Sequence, residues 1–116
     1  MTDISKESRE KIEQLQLIEQ NINALIGQKQ QFQSQAMETE SALSELDKTE
    51  KAYKIIGNVM VETKLESLKQ ELSSKKEILD LRMKAIDKQE QNLRKKASEV
   101  QQEVLSSMNE EDKDGK

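Results

Sequence analysis

Tyr53-Lys54-Ile55-Ile56-Gly57-Asn58-Val59-Met60-Val61-Glu62 is the stretch whose reading decides the fold. Ile55, Ile56, Val59 and Val61 are β-branched, a density that suits pleated strands and would be wasted in a loop. Gly57-Asn58 breaks the run with a pair suited to the positive backbone dihedrals of a tight two-residue turn. The spacing predicts two short strands, near Ala52 to Ile56 and Val59 to Thr63, joined as one hairpin.

Outward from the hairpin the pattern changes period. On the N-terminal side Leu15, Ile18, Ile22, Leu25, Lys29, Phe32, Ala36, Thr39, Leu43 and Leu46 step alternately by three and four residues. That sustained repeat of about 3.5 residues is a coiled-coil seam rather than the broad stripe of a globular helix. Ile4 lies on its extrapolation, whereas Ser8 and Lys11 do not continue the apolar series, so the seam is expected to weaken toward the N-terminus. Gly27 lies off the seam. On the C-terminal side Leu65, Leu72, Leu79, Ile86, Leu93 and Val100 recur every seventh residue, with Lys69, Lys76, Met83, Glu90, Ala97 and Val104 as companions. Leu68, Ile78 and Ala85 lie on the flanks of this second ladder.

A hairpin between two ladders returns the chain on itself. The fold class is therefore mainly α: a long antiparallel two-helix coiled coil joined by a single β-hairpin. Residues 1–116 are read as one domain, with helices over about 5–48 and 64–108, a hairpin over about 52–63 and an acidic tail over 109–116. Opposing seam residues should have numbers adding to about 108 or about 115, registers that the heptad repeat alone leaves equivalent. Charge supports intrachain pairing: residues 1–47 hold 4 Lys/Arg and 9 Asp/Glu, residues 48–96 hold 13 and 8. Glu7, Glu10 and Glu13 are expected near Arg94, Lys95 and Lys96.

An isolated hairpin is marginal in water and leaves two edges of N–H and C=O groups without partners. Nothing else in the chain supplies a strand, so the partners must come from other chains, and pairing that closes into a β-barrel body would remove every edge. Tyr53, Ile55, Ile56, Gly57, Asn58, Val59, Met60 and Val61 are the candidate assembly residues. At the helix ends Leu17, Ile18, Val100, Val104, Leu105 and Met108 exceed what one seam buries, so some are expected to stay exposed as a binding surface. Fraying is expected to present Ile4, Ile12, Leu15, Leu17, Val100, Val104, Leu105 and Met108 to binding partners. Fraying there would make the patch adaptable, with Met108 fitting varied partners.

Composition narrows the chemistry. With one Tyr, one Phe, no Trp, no Pro and 36% charged residues, the chain lacks the bulky filling of a compact core. Its mean hydropathy of −0.93 is that of solvated helices. The absence of Cys and His removes disulfides, thiolate chemistry and the commonest metal ligand and general base. No catalytic residue, cofactor or metal is therefore expected. Asp112, Asp114 and Gly115 lack the later glutamate of a calcium loop. Arg94-Lys95-Lys96 without stacking aromatics reads as an intrachain partner rather than a nucleic-acid patch. No stretch reaches the roughly 20 apolar residues of a membrane span, and charges stand where a signal peptide has its apolar segment. A cytoplasmic protein is the expectation.

The order of a Gln-rich heptad helix, a Tyr53-Lys54-x-x-Gly57-x-x-x-Val61 hairpin and a second heptad helix resembles the prefoldin β-subunit family, most of all its archaeal members. The resemblance spans about residues 10–108. The single hairpin is the β-type feature, since the α-type subunit carries two. The resemblance implies a hexamer of two α and four β subunits, ATP-independent capture of non-native client proteins at the coiled-coil tips, and delivery to a chaperonin. A structural or adaptor coiled coil without chaperone activity is the rival expectation.

Overall fold

The structure, a computed structural model, describes residues 5–114, with side chains through residue 109. Four elements follow one another: α1 (Lys6–Leu46), β1 (Ala52–Ile56), β2 (Val59–Thr63) and α2 (Leu65–Asp114).

Ser5 starts α1 as its N-cap, its hydroxyl oxygen accepting the Ser8 N–H at 3.1 Å. The helix ends where its bonds tighten: the Lys48 N–H reaches the Glu45 carbonyl, and the Thr49 N–H the Leu46 carbonyl. Thr49 then folds back locally, its hydroxyl donating to the Lys51 carbonyl at 3.0 Å. In the antiparallel hairpin Ala52 pairs with Thr63, Ile55 with Met60 and Ile56 with Val59. Among the described residues Gly57 alone takes a positive φ, +62°. The expected positive dihedrals at both Gly57 and Asn58 thus reduce to one, the pattern of a type II′ turn with Gly at its first central position. After a single linking residue α2 begins, and it runs to Asp114 rather than ending near residue 108. Asn109-Glu110-Glu111-Asp112-Lys113-Asp114 contains no Gly or Pro to stop it.

The chain divides into two compact units, one of Met1–Gln28 with Ile86–Lys116, the other of Lys29–Ala85. In the first, Ile18, Ile22, Ile86, Val100 and Val104 are buried between α1 and α2, with Leu15, Leu25, Leu93 and Ala97 half-buried beside them. In the second, Leu79 and Thr39 are buried, while Phe32, Ala36, Leu43, Leu72 and Met83 are half-buried. Thr39 carries its hydroxyl into this seam at no loss, because it donates to the Gln35 carbonyl at 2.8 Å. The Arg82 guanidinium covers the Phe32 ring at 5.8 Å.

Each unit independently selects the register in which opposing numbers add to about 115. In the first unit the Ser8 and Ser107 hydroxyls meet at 2.9 Å. In the second, Lys76 reaches Glu40 at 3.7 Å and Lys69 reaches Asp47 at 3.2 Å. This register sets residues 94–96 against 19–21, so the expected pairing of Glu7, Glu10 and Glu13 with Arg94, Lys95 and Lys96 does not form. Arg94 instead pairs with Glu90 of its own helix at 3.0 Å. The cross-helix ion pair near the helix ends has the opposite sense, Lys11 on α1 with Glu103 on α2 at 3.4 Å.

Candidate functional site

Two surfaces gather most of the large exposed apolar residues, one in each unit, while Met37, Ile78 and Leu81 are exposed on the helices outside both. The hairpin is the first. Strand pairing puts Ala52, Lys54, Ile56, Val59, Val61 and Thr63 on one face and Tyr53, Ile55, Met60 and Glu62 on the other. Ala52 is buried and Thr63 half-buried at the base, and the Lys54 ammonium donates to the Glu71 carboxylate of α2 at 2.6 Å. Beyond that base both faces are bare: Tyr53, Ile55, Ile56, Val59, Met60 and Val61 are all exposed, Ile55 by 68% and Met60 by 66%. Gly57 and Asn58 at the turn are exposed too. The sheet has two strands only, so its outer N–H and C=O groups have no strand partner among the described residues. Apolar side chains exposed on both faces and open strand edges are features that stable monomers ordinarily keep covered.

The helix ends of the first unit form the second surface. Leu17 (57% exposed), Leu105 (55%) and Met108 (36%) are open to solvent. Ile12 and Leu15 are half-buried. Val100 and Val104 are not part of the open patch: only 5% and 7% exposed, they lie in the seam. Their place on the seven-residue repeat turns them inward, so they meet another molecule only if the helices part. Ile4 lies outside the described residues.

Polar groups close these ends where apolar ones were expected to run out. Ser8 has 0% exposure, the most completely buried side chain among the described residues. Its hydroxyl bonds with Ser107 at 2.9 Å and accepts from the Ser5 hydroxyl at 3.0 Å. Lys11 spans Glu7 at 3.3 Å and Glu103 at 3.4 Å. Partial burial works against the Lys11 charge, but hydrogen bonds to Glu7 and Glu103 and the attraction of both carboxylates outweigh it. The pKa is held above the ordinary 10.5. Ser8 and Lys11 thus continue the seam geometrically although not chemically. The signal was the seven-residue spacing from Ser8 to Leu15, which apolar character alone overlooks.

A groove that the sequence did not disclose is also present in the first unit. Ala24, Leu25 and Leu93 line it together with the carboxamides of Asn21, Gln89 and Asn92. Such amides offer donors and acceptors to a peptide backbone. Among the described residues no group of His, Cys, Asp and Glu is arranged to hold a metal ion, and no helix is long and apolar enough to cross a membrane.

Comparison with known proteins decides the family. The family described as prefoldin subunit matches residues 9–111. The chain belongs to the prefoldin subunit family. The prefoldin subunit beta of Archaeoglobus fulgidus is 35% identical over 107 residues, spanning 90% of this chain and 92% of that protein. That of Pyrococcus furiosus is 33% identical over 111 residues, spanning 93% and 95%. The crystal structure of the prefoldin beta subunit from Thermococcus strain KS-1 matches with a TM-score of 0.85 at 28% identity, covering 92% of this chain and 96% of that one. The prefoldin architecture of two helices and one hairpin is thereby established for this chain.

Proposed function

We propose that this prefoldin family member is the β-type subunit of an ATP-independent holdase chaperone, acting as one domain and without a catalytic step. Its hairpin joins strands from α-type and other β-type subunits into a β-barrel body, in a cytoplasmic hexamer of two α and four β subunits. The helix ends capture non-native polypeptides and pass them to a chaperonin.

The observation that carries this reading is the bare hairpin, with six large apolar side chains exposed between Tyr53 and Val61. A monomer with that surface and open strand edges would aggregate, so the surface must be covered in an assembly. Leu17, Leu105 and Met108 then supply the capture patch, with Ile12 and Leu15 beside it. Several weak patches on one complex hold a client by avidity.

Mixing the chain with an α-type prefoldin subunit tests both halves. A single large complex by sedimentation, together with suppression of aggregation of a denatured client, is the expected result. A dimer or trimer that leaves the client to aggregate would identify a structural coiled coil instead.

A further inference from the structure

The seam of the first unit ends in a layer unlike the layers it caps. Ser8 faces Ser107 through hydroxyls 2.9 Å apart. The neighbouring step is the Lys11–Glu103 ion pair, in a groove also lined by Glu7, Gln102 and Ser106. Immediately inside lie the buried valines Val100 and Val104.

A hydroxyl pair contributes little to holding two helices together, because water replaces its bonds when the helices separate. The ion pair beside it, with its Glu103 carboxylate largely in solvent, contributes little as well. An apolar layer at the same place would lose its burial on opening and so resist it. The seam therefore has its weakest lateral hold at the helix ends, directly over two valines that closed helices hide.

We propose that the Ser8–Ser107 layer is a clasp whose opening lets the helix ends part and adds Val100, Val104, Ile12 and Leu15 to the open patch. The proposal rests on the reading of these ends as the capture surface and adds its control: the closed state offers Leu17, Leu105 and Met108, and the clasp sets how readily the rest is exposed. Capture strength then follows the fraction of time the clasp is open.

Because the chain has no Cys, a Ser8→Cys/Ser107→Cys variant places its two thiols only where the native hydroxyls already meet across the helices at 2.9 Å, and oxidation is used to link them. The full chain assembled with its α-type partner is titrated with labelled lactalbumin, permanently unfolded by reduction and carboxymethylation. The oxidised complex should bind roughly tenfold or more weakly than the reduced one, with reduction restoring binding. A Ser8→Val/Ser107→Val variant, which fills the layer without redox chemistry, should melt higher and bind more weakly, and it tests the same closure if the cross-link does not form. Leu17→Ser/Leu105→Ser/Met108→Ser separates the clasp from the patch beneath it. If this variant loses binding while the closed clasp binds as tightly as the open one, the clasp is refuted alone. If it binds like the native complex, the capture reading falls and the clasp with it.

Discussion

At Gly57 the backbone takes φ +62°, so although an added Cβ would meet nothing within 4 Å, an L side chain there is strained. Gly57→Ala should cost about 1–2 kcal/mol. Gly27 is the opposite case: it lies inside α1, is exposed and has open space around it. Gly27→Ala should stabilise by about 0.5–1 kcal/mol through helix propensity. Thermal melts of the two variants should move in opposite directions; a shared sign would show that the II′ turn does not constrain the hairpin. Lys11 makes a pH prediction with a definite sign. Its pKa is raised in the folded chain, so its contribution to stability is complete below the ordinary 10.5 and is lost as pH rises through the folded value. Amide exchange over residues 100–107, corrected for intrinsic rate, should accelerate above about pH 10.5, and Lys11→Met should remove that alkaline step.

For the helices, seam and flank differ in the cost of truncation. Leu79 is 3% exposed whereas its neighbour Ile78 is 50% exposed. Leu79→Ala should lower stability by about 2–3 kcal/mol, and Ile78→Ala by less than about 0.5 kcal/mol, both read from loss of helical circular dichroism on heating. Equal losses would mean that α2 packs on a partner through its flank as well. For the hairpin the cost lies in assembly. Ile55→Asp or Val59→Asp places a charge among apolar side chains that the proposed assembly buries, at a cost of a few kcal/mol. Sedimentation with the α-type partner should show free subunits with helical content retained, and an intact complex would remove the hairpin from the assembly mechanism.

In the whole molecule the two proposed functions fall in different units, assembly in Lys29–Ala85 and capture in the unit holding both helix ends. They should therefore be separable. Deleting residues 1–12 and 101–116 removes Ser8, Lys11, Val104, Leu105 and Met108 but no part of the hairpin. The truncated chain should still form the complex with its α-type partner and should lose suppression of client aggregation. Protection as good as that of the full chain would move the capture surface to the Asn21–Leu25 and Gln89–Leu93 groove, or to the flank around Leu68, Ile78 and Ala85.

Local pattern was enough for the elements. A 3.5-residue repeat, a β-branched run and a Gly-Asn break each have one economical backbone solution, and the strands Ala52–Ile56 and Val59–Thr63 fall where that pattern places them. The helix–helix register was present in the sequence but not readable from the ladders, which repeat every seven residues and fit two alignments equally. The turn at Gly57-Asn58 already pairs Ile56 with Val59, the same numerical sum as Ser8 with Ser107. However, five residues link α1 to β1 and one links β2 to α2, and linkers so unequal do not guarantee that hairpin register carries into the helices. Only packing in three dimensions decided that, and with it the roles of residues whose type misleads. Ser8, a polar break in the apolar pattern, is fully buried because its hydroxyl is satisfied there, while Val100 and Val104 are withdrawn from the surface because the seam needs them.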